Sequence, residues 1–337
     1  MDQGVLRLTL AWDGQCILSA DLASTRPQAA RVLVGQPASK VLELVPRLFS
    51  LCGKAQGAAA WLALQAARGE QPDEVVLQDV TRAVVLEAIG EHLWRLLLDW
   101  PPLGGQPARK SEFLDWRRRL LAASSPEAAA LVGTGLAAWL DEQAPMAVER
   151  TERALSAMPG ELLPWMLADQ WARQPFAESF AERPSFAGSP AETGPLARWA
   201  GLADVAVLHA SGQGVAARLV ARYADLRFLA AALLEPQRLS GWLDAAPLAE
   251  NVGLARVETA RGLLLHLMQV NDGRVGRYVI VAPTEWNFHP QGAFVREITG
   301  CLAPSRVAAE AAARRLALAL DPCVAYEIVV NEVTGNA

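Results

Sequence analysis

The sequence predicts an α+β fold, mainly helical, and three observations carry that reading. Residues 5–22, "VLRLTLAWDGQCILSADL", alternate apolar and polar side chains around Asp13-Gly14, the pattern of a β-hairpin. Residues 38–170 instead repeat apolar residues at helical spacing. Beyond residue 250 the period shortens again, and Asn271-Asp272-Gly273 joins two β-rich runs. Strand and helix signals are segregated along the chain rather than alternating, which favours α+β over α/β.

Taken in order, the first hairpin gives way to a helical body over 38–170. "DEVVLQDVTRAVVLEAIGEHLWRLLLDW" has Asp73 placed to cap its first turn. "SPEAAALVGTGLAAWLDEQ" begins on Ser125-Pro126, with proline where a helix tolerates it. Residues 171–200 are rich in Pro, Gly and Ser, yet carry aromatics every few residues, as an ordered irregular loop does. Residues 201–250 are expected to be helical, with the clearest pattern over 205–238. A hairpin around 253–285 follows. A final helix is capped by Ser305, and a cysteine-bearing tail completes 251–337. The 337 residues, 52% hydrophobic and 20% charged, suffice for one large core or two modest ones. The expectation is a single domain over 1–337.

Composition narrows the function. Net charge is -5 without a dense Lys/Arg block, which argues against nucleic acid and anionic membranes as partners. The apolar runs are broken by charge short of the ~20 residues of a bilayer span. "MDQGVLRLTLAWDG" lacks the order of a signal peptide. The expected location is therefore the cytoplasm, with Cys16, Cys52, Cys301 and Cys323 reduced. Eleven tryptophans point to wide apolar contact surfaces. Cys52 opens an apolar helix, a position that acidifies a thiol, but the second cysteine of a CxxC pair is missing because that position is Ala55.

Five segments, in order, carry a resemblance. "RLFSLCGKAQGAAA" resembles the first cysteine motif of nickel–iron hydrogenase large subunits, R-I-C-G-x-C-x-x-x-H, and "DPCVAYEIV" resembles their last, D-P-C-x-x-C-x-x-H. "PAETGPLARW" is similar to their E-x-G-P-L-A-R. "VETARGLLLHLMQVNDGRVGRYVIVAPTEWN" is similar to E-A-P-R-G-x-x-x-H followed by V-P-T-x-W-N, and "DQGVLRL" to I-E-G-H-L-R-I. The resemblance implies a reduced large-subunit fold. Its departures are as specific as its matches. The two cysteines that bridge nickel to iron in the family fall at Ala55 and Tyr326, two histidines fall at Ala59 and Val329, and the proton-passing glutamate falls at Gln3. Two thiolates do not make the soft cage nickel requires, and a glutamine does not exchange protons as a carboxylate does. No nickel, no catalytic residue and no C-terminal processing are expected.

The residues that match belong to the iron side. In the family the iron carries two cyanides and one carbon monoxide. Arg261 and Thr284 match the residues that donate to the cyanides, and Ala282 and Pro283 match the wall around the carbon monoxide. Cys52 matches the leading ligand and Cys323 the second. This subset is similar to the hydrogenase expression and formation proteins called HupK or HoxV. That resemblance implies a non-enzymatic maturation scaffold that transiently binds an iron carrying cyanide and carbon monoxide. Its partners would be maturation accessory proteins and the immature large subunit.

Other readings stay open. A metal-free assembly chaperone would keep the same residues for packing. An enzyme with its own redox site lacks any replacement acid–base cluster, and two cysteines could share an iron–sulfur cluster between copies. Cys52 also fits as a small buried hydrophobe, Cys323 as a gap filler, and Arg261 with Thr284 as an ordinary ion-pair and capping set. Asp321-Pro322 fits as a helix stop, and Cys16 and Cys301 as structural residues. Of the histidines, His266 reads equally as a satisfied core residue, His289 reads as a surface loop residue, and His92 and His209 receive no role. Glu192–Arg198 reads as a packing element.

Overall fold

A computed structural model describes residues 4–25, 29–142, 160–174, 178–181 and 183–333. Gln3, residues 143–159 of the helical body, and residues 175–177 and 182 of the loop lie outside that set.

The first hairpin forms as the alternation predicts, from Val5–Trp12 and Ile17–Ser24, with Gly14 at φ 96° in its turn. Its inward residues Leu6, Leu8 and Leu10 are buried. The sequence did not reveal its third strand. Ala325–Glu332 pairs in parallel with Val5–Trp12, Val5 opposite Ala325 and Leu6 opposite Tyr326. The last strand thus lies against the first, and Cys323 sits just ahead of it.

The second sheet has four antiparallel strands in sequence order: Leu243–Ala249, Val252–Thr259, Gly262–Asn271 and Arg274–Val281. The first of these corrects the helical expectation for 201–250, whose helices end by Leu239. A Pro and three Ala hide a strand that pairing with Val252–Thr259 creates. Asp272 and Gly273, at φ 49° and 74°, make the two-residue turn expected of Asn271-Asp272-Gly273. Residues 253–270 are buried almost throughout, because this sheet is covered by helices.

Helix Gly53–Ala67 lies across that sheet, and its composition explains how closely it does so. A Cβ at Gly253 would stand 2.1 Å from the Ala63 carbonyl oxygen, so only glycine fits the strand beneath the helix. Ala59, Ala60 and Ala63 are completely buried. On the helix's other side, a Cβ at Gly53 would meet the Pro46 carbonyl oxygen at 2.9 Å. The glycine of the Cys-Gly pair is therefore required by the packing against helix Ala38–Leu48.

The long helices are Glu74–Trp94, Pro126–Glu142 and Gly214–Leu234. Asp73 caps the first by accepting the Val75 and Val76 N–H groups, and Ser125 Oγ accepts the Ala128 N–H at the second. The first continues into a π-turn, Arg95–Asp99, a rare geometry often kept for function. Helix Arg306–Leu320 starts on Ser305, as expected, and ends on Asp321 in the left-handed region at φ 57°.

Candidate iron-unit site

Four segments of the chain converge on the two thiols. Cys52 is the cap residue of helix Gly53–Ala67 and is half-buried. Cys323 follows the Asp321 helix stop and is also half-buried. Thr284 enters from helix Pro283–Asn287, and Arg261 from the two-residue turn between strands Val252–Thr259 and Gly262–Asn271. That turn is held by backbone contact with the "ETGP" segment. A Cβ at Gly194 would stand 2.7 Å from the Arg261 carbonyl oxygen, and one at Gly262 2.6 Å from the Gly194 nitrogen. Both glycines have positive φ, at 112° and 128°.

Thr284 and Cys323 are joined twice. Thr284 Oγ1 donates to Cys323 Sγ and accepts the Cys323 N–H, each at 3.1 Å. Ala282 and Pro283 are buried beside them, and Glu285 accepts the Ala282 N–H at 3.0 Å. The expected site residues thus lie on elements that meet at the two thiols, but the Thr284 hydroxyl proton is directed at sulfur.

Arg261 is 7% exposed and bridges two carboxylates, Glu91 at 2.5 Å and Asp321 at 3.2 Å. Asp321 also receives Arg95 at 2.7 Å and Arg222 at 3.1 Å. Burial alone would raise the Asp321 carboxyl, but Arg261, Arg95 and Arg222 outweigh it and hold it well below the usual carboxylate range. The helix-stop reading of Asp321 is therefore incomplete: it caps the helix and gathers three guanidinium groups.

The expectation of an acidified Cys52 is overturned. Burial pushes its thiol well up, and the neighbouring Cys323 and Glu91 add to the effect, with Arg261 opposing. The helix N-terminus does not compensate because another carboxyl group takes its N–H groups. Glu87 accepts the Lys54 N–H at 2.8 Å and the Ala55 N–H at 3.0 Å. Burial and the nearby Glu91 in turn raise Glu87 to about 7.

Behind Cys52 runs a buried relay. Gln56 Nε2 donates to Cys52 Sγ at 3.7 Å, and its Oε1 faces His266 Nε2 at 3.0 Å. Since a glutamine oxygen only accepts, Nε2 carries the imidazole proton, and Nδ1 accepts from the Tyr278 hydroxyl at 2.8 Å. Burial lowers His266 to about 3, so it is a neutral, satisfied core histidine one residue removed from the thiol.

Sequence reasoning missed Gln56, Glu87, Glu91, Arg95, Arg222 and Tyr278. One signal was available: Arg218, Arg222 and Asp225 fall on one face of a helix whose one other charged residue is Arg227. Asp225 binds His92 at 2.8 Å and Arg198 at 2.7 Å, and Arg218 binds Glu192 at 2.5 Å. The "ETGPLAR" segment therefore organises the core through buried ion pairs. His92, which the sequence left without a role, joins Asp225 to Arg222. His289 is 8% exposed, which corrects its reading as a surface residue, and its Nδ1 accepts the Gln291 N–H at 3.1 Å. Cys301 is buried, as a structural residue should be.

Comparison with known proteins supports the fold and shows the family. Residues 230–326 match the nickel-dependent hydrogenase family. The fold resembles the Ni-Fe-Se hydrogenase of Desulfomicrobium baculatum, with a TM-score of 0.70 over 93% of this chain and 94% of that one at 15% identity. The enzyme from D. vulgaris Hildenborough gives a TM-score of 0.68. Among curated proteins, the chain is 37% identical to the hydrogenase expression/formation protein HupK of Azotobacter vinelandii, covering 90% of this chain and 91% of that one. It is 34% identical to HoxV of Cupriavidus necator, covering 94% of each. On a large-subunit fold that keeps one cysteine of each motif, this similarity identifies the chain as a member of the hydrogenase expression/formation proteins of the HupK and HoxV kind.

Proposed function

We propose that the chain is a non-catalytic maturation scaffold that holds or passes on an iron carrying cyanide and carbon monoxide during assembly of a nickel–iron hydrogenase. The observation that carries this reading is the convergence of Cys52, Cys323, Thr284 and Arg261 where a catalytic subunit would keep two further cysteines. An iron with three diatomic ligands needs few protein bonds, and two thiolates meet that need while permitting release. Cys52 is the leading ligand and Cys323 the second. Arg261, now shared by Glu91 and Asp321, and Thr284, whose hydroxyl now donates to Cys323 Sγ, would turn their donors to the anionic cargo, and Ala282 with Pro283 would form the apolar wall. Two thiolates do not suit nickel. The partners in this reading are the accessory proteins that build the iron unit and the immature large subunit, and the setting is the cytoplasm. No helix among the described residues is long and apolar enough to cross a membrane.

One observation favours a second reading. Arg261 is already held by Glu91 and Asp321, and the Thr284 hydroxyl by Cys323. A metal-free chaperone for the large subunit would keep these residues for packing, with no cargo on them.

Infrared spectroscopy separates the two. The protein is purified without oxygen from cells expressing the maturation machinery, beside Cys52→Ser and Cys323→Ser. Cyanide and carbonyl bands that vanish in Cys52→Ser are the expected result. Bands that survive both substitutions would remove these thiols from the site, and no bands at all would favour the chaperone.

A further inference from the structure

Arg261 is the first member of a chain of charged side chains that leads away from the thiols. Asp321 lies between Arg261, at 3.2 Å, and Arg222, at 3.1 Å. Arg222 donates to His92 Nδ1 at 3.0 Å, and His92 Nε2 donates to Asp225 at 2.8 Å. Asp225 also receives Arg198 at 2.7 Å. Arg198 donates to Glu258 at 2.6 Å, and Glu258 receives Arg256 at 2.8 Å. The Arg256 guanidinium lies 4.1 Å from the ring centroid of Trp165, which is 48% exposed. All side chains ahead of Trp165 are buried.

Guanidinium groups and carboxylates alternate along this chain, with one imidazole in the middle, and neighbouring bonds share atoms. Arg222 Nη1 serves both Asp321 and His92. Asp225 Oδ2 serves both His92 and Arg198. Burial lowers His92 to about 4, so the ring is neutral, with Nδ1 accepting and the Nε2 proton donated. An unpaired charge in a dry interior is costly, so a member that shifts draws its neighbours after it. Arg256, Glu258 and Arg261 also share one hairpin, so a short backbone route joins the two ends of the chain. His92 lies on helix Glu74–Trp94, outside that hairpin.

We propose that this chain of charges is a coupling device between the thiol site and the surface at Trp165: a change in the pairing of Arg261 is read at Trp165, and the reverse. The inference rests on where Arg261 lies and not on the iron-unit reading.

The test uses the full chain labelled with 15N-tryptophan. The Trp165 indole N–H resonance is assigned by its loss in Trp165→Phe. Arg261→Gln is expected to move it by more than its linewidth, while the resonance of Trp139, whose ring nitrogen donates to Glu112, stays in place. The movement is expected to vanish when His92→Phe breaks both bonds of the middle link. It is expected to return in His92→Gln, which again offers an acceptor and a donor. A double-mutant cycle in urea needs no His92 variant. Trp165→Ala with Arg261→Gln is expected to depart from additivity by about threefold in the unfolding constant. Three results would overturn the proposal: an unmoved Trp165 resonance in Arg261→Gln, an equal movement when His92→Phe is present, or an additive cycle. The second would assign the coupling to the hairpin backbone.

Discussion

Thr284 and Cys323 lock each other from both sides, the hydroxyl donating to sulfur and accepting the cysteine N–H, each at 3.1 Å. The pair ties helix Pro283–Asn287 to the segment that follows the last helix. In the proposed scaffold this lock would hold the Cys323 thiol in place before a metal arrives.

Thr284→Val removes both bonds while keeping the shape. It is expected to cost about 1–3 kcal/mol in urea denaturation, because the Cys323 N–H loses its partner. Thr284→Ser keeps the hydroxyl and should stay near wild type. Equal losses in the two variants would show that the methyl group, not the hydroxyl, matters.

The raised Cys52 thiol gives a signature at alkaline pH. The folded state keeps this proton at a pH where the unfolded chain, with an ordinary thiol near 9.0, releases it. Its contribution to stability is therefore complete below the unfolded pKa and is lost as pH rises above it. Thermal unfolding from about pH 8 to pH 10 should show a steeper fall in wild type than in Cys52→Ser. Under the proposed function the same proton leaves when Cys52 ligates iron, so iron uptake should strengthen with pH and release protons, measurable by calorimetry in two buffers.

Glu87 acts in a lower window. Its folded pKa of about 7 lies above the ordinary 4.5, so the folded state binds the proton more tightly. Its stabilisation is full below 4.5 and is lost as pH rises through 7. Glu87→Gln keeps one acceptor for the Lys54 and Ala55 N–H groups and removes the titration. The difference in Tm between wild type and this variant should therefore change across that interval and be flat outside it.

Asp321 faces Arg261, Arg95 and Arg222, all in or near the buried core. Asp321→Asn tolerates the left-handed backbone but leaves three cations with one fewer anion. The expected loss is about 3–5 kcal/mol by chemical denaturation. Asp321→Gly eases the backbone fully and should lose nearly as much, since the charge dominates.

Gln56→Leu should cost about 1–3 kcal/mol, because it orphans the His266 Nε2–H as well as removing the donor to Cys52. Urea denaturation measures the loss, and an unchanged stability in Gln56→Leu would exclude the relay.

The sequence by itself determined the two hairpins, the caps at Asp73, Ser125 and Ser305, and the family, because turn chemistry, capping and short motifs are local properties. It also determined the pairs Cys52–Ala55 and Cys323–Tyr326, and with them the absence of a four-thiolate cage. Only the tertiary structure decided what those residues experience. The parallel strand Ala325–Glu332 needs a partner more than 300 residues away, so no local pattern announces it. The strand Leu243–Ala249 reads as poor in β-formers and exists because its neighbour pairs with it. The ionisation of Cys52 reversed for the same reason: helix position is written in the chain, whereas burial and the Glu87 carboxylate on the Lys54 and Ala55 N–H groups come from elsewhere in the fold. Burial and charge pairing sum over the whole three-dimensional neighbourhood, which is why the motif named the thiols and the fold set their chemistry.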